Sequence, residues 1–454
     1  MSPVLFWTDL LVLLVAAMAL AYAFQVRRSA HLRASWRRVG ESPVAVAASV
    51  FLAAFILVGL LDSVHLRTRD AEIVSVLDLG LGRLRTQVET TYSAPFATHG
   101  YARMPIETDT GTERLFPRLT YGGAHLVDPG ADRLPDIAWR LVRVLGITVL
   151  LSSVLAWLLT WRLARHHGLN LNDAGQRLLR GDFPAPWRSL LVSIAALMLL
   201  VVVVIEFAGL YHILGTDKVG QDVLYQAIKS IRTGLVIGSI TTLVVLPLGI
   251  VLGIAAGYFG GRVDDVIQYL YTTLNSIPGV LLIAAAVLVM QLKMDANPTA
   301  FDSVEARADL RLLALCVILG ITGWTGLARL LRAETLKLRE AEYIQAATSL
   351  GLGHGVILLR HVLPNVMHIV LITVVLDFSG LVLAEAILSY VGVGVDPTMM
   401  SWGNMINAAR LELSREPVVW WSLSAAFVFM LGLVLAANLV ADAVRDAFDP
   451  RLNR

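Results

Sequence analysis

Nine stretches of about twenty apolar residues run through this chain, at about 4–24, 43–62, 141–162, 188–209, 233–257, 267–291, 311–331, 367–390 and 419–441. Each is long enough to cross the roughly 30 Å of hydrocarbon in a bilayer. No water is available there, so every backbone N–H and C=O must be satisfied inside its own segment, which only a helix achieves. The expectation is an all-α polytopic membrane protein with about nine spans. Only 16% of the 454 residues are charged, against about 25% in soluble domains, which excludes a protein folded in water. The formal net charge of +2 offers no bulk basic surface for nucleic acid. Cys316, the only cysteine, lies in an apolar run and reads as a packing residue. His166 and His167 read as basic loop residues rather than a metal pair.

The arginines set an orientation. Val4 to Phe24 ends in Ala21-Tyr22-Ala23, which resembles a signal-peptide cleavage site, yet nothing basic precedes the apolar core. Arg27, Arg28, Arg33, Arg37 and Arg38 follow it instead. This arrangement reads as a retained span with the N-terminus outside. If nine helices alternate, those arginines fall on the same side as the basic loop 163–187, the segment 329–366 and the C-terminal tail, and that side is the cytoplasm. Lys218, Lys229 and Arg232 sit on the opposite side, and charge alone does not explain them. Trp420 and Trp421 read as interfacial anchors at the outer start of the last span. The long segment 63–140 shows helical apolar spacing over Ile73–Leu84 and then repeated prolines. It is either a small external domain or, somewhat favoured because its core would be small, a folded loop lying over the bundle.

Segment 329–366 is the most informative. Residues 331–350 are strong helix formers without glycine or proline, and Gly351 and Gly353 stop the helix. Ile344, Ala347 and Leu350 share one face, with Ala346 beside it. A small, apolar face on a helix in water suits close docking against another protein. Val356 to Val362 is a second apolar stretch, and Pro364 sits where a new helix can begin.

These residues carry a family resemblance. Gln345-Ala346-Ala347, Gly351 three residues later, and His361-Val362-Leu363-Pro364 nine residues beyond match the register of the cytoplasmic E-A-A motif of ATP-binding-cassette (ABC) importers. Gln345 replaces the acidic residue and His361 the isoleucine. The ending Arg360 to Asn365 is typical of the dipeptide/oligopeptide branch. His212 to Val223, with Gly215, Thr216, Asp217, Gly220 and Asp222, resembles the L-G-T-D signature of the second permease of peptide importers, with Gln221 in place of arginine. Gly215 and Gly220 permit a tight turn there, and Asp217 and Asp222 can cap local N–H groups. Gly257 to Gly261 with Asp264, Gly323-Trp324 with Arg329, Ser401 to Met405, and Asp446 to Arg451 match further family elements in order.

The resemblance covers about 188–454 and implies a type I ABC-importer-like bundle of about six spans with a cytoplasmic coupling loop at 329–366. Residues 1–187 form an N-terminal extension of about three spans, with the outer loop near 63–140. By the same resemblance the protein is a multi-pass subunit of a bacterial inner membrane. It shares a path for di- or oligopeptides, nickel chelates or peptide-like antibiotics with a second permease. Two ABC ATPases and an external solute-binding protein complete the set. No Walker A pattern occurs, so ATP and Mg belong to the partner chains, and this chain is read as non-catalytic without a cofactor or metal of its own. Gln345, Ala346, Ala347, Leu350, Gly351, Arg360, His361, Leu363 and Pro364 are the implied ATPase-coupling residues. Within the spans, Asp377, Glu385 and the Asn275–Pro278 interruption are candidates for the translocation path, because charge and broken helix inside a membrane mark function. The structural readings beside these are a paired charge for Asp377, packing or gate structure for Glu385 and a kink at Pro278. Glu206 reads as reaching the outer interface. A stand-alone secondary transporter or channel is the competing reading, and a docking face argues against it.

Overall fold

The computed structural model describes residues 2–68, 72–108, 111–296 and 303–448. Helix α1 (Trp7–Arg28) leads through α2 (Ala30–Glu41) to α3 (Pro43–Asp62). Two short helices, α4 (Val76–Gly80) and α5 (Gly82–Thr86), precede the long α6 (Pro129–His167), which is followed by α7 (Leu171–Arg180) and α8 (Trp187–Phe207). Then come α9 (Val223–Phe259), α10 (Gly261–Ser276), α11 (Gly279–Ala296), α12 (Val304–Gly323) and α13 (Thr325–Arg339). The chain ends with α14 (Glu342–Ser349), α15 (His354–Ile357), α16 (Leu363–Val391), α17 (Trp402–Glu412) and α18 (Trp421–Phe448). Among the described residues nine helical runs are long and apolar enough to cross a membrane: α1, α3, α6, α8, α9, α11, α12–α13, α15–α16 and α18. The all-α, nine-span architecture read from the sequence is therefore the observed one.

Several boundaries differ from the sequence reading. Helix α6 starts at Pro129 and α9 at Val223, each about ten residues early, because both extend beyond their apolar stretch. The sixth stretch is not one helix with a kink: α10 stops at Ser276, Ile277 is extended (φ −92°, ψ 131°), and α11 restarts at Gly279. Pro278 has no N–H to continue the ladder and biases the residue before it towards extended backbone. The motif residues Asp449, Pro450 and Arg451 lie outside the described residues.

The chain forms two compact units. The first comprises Met1–Val4, Arg33–Arg232 and Met400–Val440. In it α8 packs against both α3 and α6. Strand β1 (Ser2–Val4) pairs antiparallel with β2 (His65–Arg67), which pairs with β3 (Ile73–Ser75), and β4 (Met104–Thr108) forms a hairpin with β5 (Gly111–Leu115). The expected helix over Ile73–Leu84 is thus a strand followed by two helical turns. Glu206 does not simply reach the interface: its carboxylate takes Arg140 at 3.2 Å and Arg143 at 3.0 Å, both from α6. Lys229, unexplained by charge counting, has its ammonium between Asp62 (2.6 Å) at the end of α3 and Asp78 (3.0 Å) in α4.

The second unit comprises Leu5–Leu32, Thr233–Met399 and Ala441–Arg454. Helix α1 rests on α12, where the Thr8 amide donates to Asp309 at 3.2 Å and the Thr8 hydroxyl also meets that carboxylate. Gly249, Gly253 and Gly257 put a glycine at every fourth residue of α9. A Cβ at Gly253 would lie 2.7 Å from the Ala328 carbonyl oxygen, and one at Gly257 2.7 Å from that of Arg332. The stripe lets the backbones of α9 and α13 approach closely, the use small residues serve between membrane helices.

Candidate functional site

Helix α13 carries its buried stripe, Leu327, Ala328, Leu331 and Thr335, along one side. Continued without a break, that stripe would run into Glu342 and Gln345. The helix breaks instead. Glu340 ends α13, Ala341 is extended (φ −70°, ψ 138°), and α14 restarts at a new angle that turns Ile344 and Ala347 into the core. The unbroken helix expected over 331–350 is therefore two helices. Gln345 bridges the break, its amide donating to the Glu340 carbonyl at 3.2 Å. An ionised carboxylate at position 345 could not make this bond.

The restart also reverses the expected faces. Ile344 is 1% exposed and Ala347 is buried in a cluster with Tyr258, Leu331, Ile357, Val362, Val366 and Val370. Neither can meet a partner. The exposed side of α14 carries Glu342, Tyr343, Gln345, Ala346 and Leu350, and Leu350 is 82% exposed. Leu352, Val356 and Leu359 add exposed apolar surface nearby. Gly351 adopts a left-handed φ of 75° that ends α14, with its N–H on the Thr348 carbonyl.

Pro364 stands in the first turn of α16, as expected, but that helix is not a free start. Residues His354 to Val391 form one helical run, widened to a π turn over Leu358–Val362. Proline cannot bond the Arg360 carbonyl four residues back and its ring crowds that group, so the turn opens. Arg360 is exposed in this turn and His361 half-buried, with the Asn365 amide on the His361 carbonyl at 2.6 Å and on the Tyr343 hydroxyl at 3.3 Å. Leu363, half-buried, packs against the cluster that holds Ile344. Around this segment, Arg332 clamps Asp264 through two bonds of 2.6 Å, and the Tyr258 hydroxyl meets His354 Nδ1 at 3.0 Å.

The segment between α8 and α9 is a knot. Gly215 and Gly220 have φ of 70° and 77°. Thr216 is fully buried: its hydroxyl accepts from the Ser93 amide at 2.7 Å and donates to the Thr91 carbonyl at 2.9 Å. Asp217 accepts the amides of Val219 and Gln221, and Asp222 caps α9 through the Tyr225 amide at 3.1 Å. Trp421 is not an interfacial anchor; it is 1% exposed and its indole N–H donates to the Thr216 carbonyl at 2.9 Å. Trp420 beside it is exposed. At the centre, His212 places Nδ1 2.8 Å from Asp222 and Nε2 3.4 Å from Glu89.

Glu89 and His212 lie 123 residues apart, and nothing local signals their meeting. Burial pushes the Glu89 carboxyl up, but the His212 bond and the amides of Tyr121, Thr120 and Gly122 outweigh it and bring it down to about 2. Burial alone would lower His212; the bonds to Asp222 and Glu89 and their charges hold it at about 9. The sign follows by linkage. The His212 contribution to stability is complete below its ordinary 6.5 and lost as pH rises through about 9. The Glu89 contribution is complete above its ordinary 4.5 and lost as pH falls through about 2. Melting of the purified protein is expected to be highest between these, near pH 5–6. It should fall towards pH 9 in the wild type and less steeply in His212→Gln. Equal alkaline slopes in both proteins would show that the cluster does not hold the knot.

Residues 249–454 match the protein family described as binding-protein-dependent transport system inner membrane component. The glutathione transport system permease protein of Pectobacterium atrosepticum is 34% identical over 241 residues, 53% of this chain and 73% of that protein. This chain belongs to the ABC-importer permeases of the dipeptide/oligopeptide branch. The permease is also similar to the oligopeptide transport system permease protein of Bacillus subtilis, 29% identical over 243 residues (54% and 73% of the two chains). The corresponding protein of Haemophilus influenzae is 30% identical over 241 residues (53% and 71%).

The path candidates of this permease lie on α10, at the break after it, and on α16. Asn275 accepts from the Thr325 hydroxyl at 3.2 Å, one residue before α10 ends and three before Pro278. Glu385 is 2% exposed and takes the Ser389 hydroxyl at 2.7 Å, inside the helix packing. Asp377 is half-buried at the middle of α16.

Proposed function

We propose that this permease is one of two membrane subunits that share a translocation path for di- and oligopeptides. Two ABC ATPase subunits, carrying Mg and ATP, drive it from the cytoplasm, and an external solute-binding protein delivers the cargo. In this reading 329–366 and the C-terminus are cytoplasmic, while the N-terminus and 63–140 are outside. Residues 188–454 are the transport domain and 1–187 an extension of it. The mechanism is alternating access: ATP closes the ATPases, α14 moves with them, and α16 reorients.

The observation that carries this reading is the two-sided construction of α14. Its exposed side offers Ala346 and Leu350 with no cover, a surface that calls for a partner. Its buried side locks Ile344 and Ala347 onto Val362, Val366 and Val370, at the base of α16. Force applied to the exposed side therefore reaches a membrane helix through packed side chains, which transmit rather than absorb displacement. The relatives above are named for oligopeptide or glutathione transport, which favours peptide cargo.

The test is purification of the permease from its native membrane in mild detergent, with identification of the accompanying chains. Wild type is expected to bring two ATPase chains and a second permease. Ala346→Glu should keep the second permease and lose the ATPases, since position 346 is exposed and the substitution spares the core. A wild-type chain that emerges folded and alone would favour the solitary carrier. Uptake of nickel chelates or peptide-like antibiotics instead of peptides would keep the architecture and change the cargo.

A further inference from the structure

Several charged side chains in or beside the other spans are matched inside the chain. Lys229 meets Asp62 and Asp78, Glu206 meets Arg140 and Arg143, Arg311 meets Asp396, Asp309 takes Thr8, and Glu385 takes Ser389. Asp377 differs. It has no hydrogen bond or ion pair with any described residue. It sits at the midpoint of α16 (Leu363–Val391), about 21 Å from either end at 1.5 Å per residue. A carboxylate at that depth is costly unless it faces a partner or a water-filled cavity. One turn on, Gly380 has no neighbour within 4 Å of where a Cβ would stand, so the helix surface there is open. Leu376 and Leu383 continue that exposed side.

We propose that Asp377 contacts cargo, taking the alkylammonium or guanidinium group of a peptide as it passes the middle of the membrane. This rests on the peptide-importer reading above. The charges just named are satisfied within the chain, whereas Asp377 finds no partner among the described residues, so the cation assigned to it is that of the cargo. Asp377 also rides on the helix whose base holds α14. Movement of the exposed face of α14 shifts this one charge relative to the rest of the path, so a cation is held in one state and released in the other.

The test uses the complete transporter with its binding protein in proteoliposomes. ATP-driven uptake is measured for tri-alanine, N-acetylated tri-alanine and an N-acetylated tripeptide with a central lysine. Each result is read as the ratio of variant to wild type, which cancels the binding protein's own preference. Asp377→Asn is expected to raise the apparent KM for cationic cargo at least tenfold and to leave N-acetylated tri-alanine within twofold. Asp377→Glu should recover most of the loss. A defect with tri-alanine assigns the contact to the α-ammonium, and a defect confined to the acetylated lysine peptide assigns it to a side chain. An equal loss for charged and uncharged cargo, or no loss, overturns the proposal. So does loss of the second permease from purified Asp377→Asn, which would give the carboxylate a basic partner in that subunit. Wild-type transporter that moves no peptide with ATP would overturn the importer reading itself, and this proposal with it.

Discussion

Replacing Gly220 with alanine is expected to undo the knot between α8 and α9 and to cost on the order of 4 kcal/mol of stability. A Cβ at this position would lie 1.8 Å from the Glu89 carbonyl oxygen and 2.4 Å from its carbonyl carbon. Both are backbone atoms, so no rotamer relieves the clash. The Gly220 carbonyl also accepts the Glu89 amide at 2.9 Å, and this bond fixes the two strands of chain against each other. Once Glu89 is displaced, His212 loses one of its two carboxylates. Gly181 supplies the control. Its φ is 83°, as unusual as that of Gly220, but nothing lies within 4 Å of its Cβ position. Gly181→Ala should cost only the backbone term, about 1–2 kcal/mol. The difference is read from thermal unfolding in detergent and from new proteolytic cuts within residues 88–126. Equal effects for the two alanines would mean that 88–126 is not held against the knot.

What the sequence makes legible follows the range of the physics. A membrane span is local, because twenty apolar residues suffice to name it, and the nine-span reading holds in the fold. Helix ends beyond the apolar stretch are not local in this sense: α9 begins at Val223 because Asp222 caps it, and Asp222 is held by His212, whose other nitrogen faces Glu89. That chain of contacts joins residues more than a hundred positions apart. The same applies to Lys229, whose carboxylates lie at 62 and 78. Two features were readable without the fold. Glycines at 249, 253 and 257 spell a close helix contact. The apolar phase slips between Leu338 and Ile344, where a continuous helical stripe would continue at 342 and 345 with Glu and Gln, and this slip marks the break at Glu340–Ala341. Without it, the register of the E-A-A-like motif suggests that Ile344 and Ala347 face outward, and the fold places them inward.

That inversion separates two roles in one short helix, and the same substitution made on each side tests it. Glutamine approximates isoleucine and leucine in size and brings no charge. At Ile344, 1% exposed, it buries an amide without partners and removes apolar packing, a loss of about 3–5 kcal/mol. Ile344→Gln is expected to melt early and to accumulate poorly, with uptake falling because folded permease is scarce. At Leu350, 82% exposed, the same change should alter stability by less than about 0.5 kcal/mol. If Leu350 anchors the ATPase contact, however, it removes a hot-spot side chain worth about 2 kcal/mol or more, roughly thirtyfold in affinity. Leu350→Gln should therefore yield normal amounts of well-folded permease that recovers ATPase chains weakly and transports at a few per cent of the wild-type rate. Excess ATPase subunits in reconstitution should restore part of its activity and none of the stability lost by Ile344→Gln, because mass action rescues weakened binding and not a damaged core. Normal transport by Leu350→Gln would place the docking surface elsewhere on the segment, with Leu359 and Arg360 of the π turn the next residues to replace.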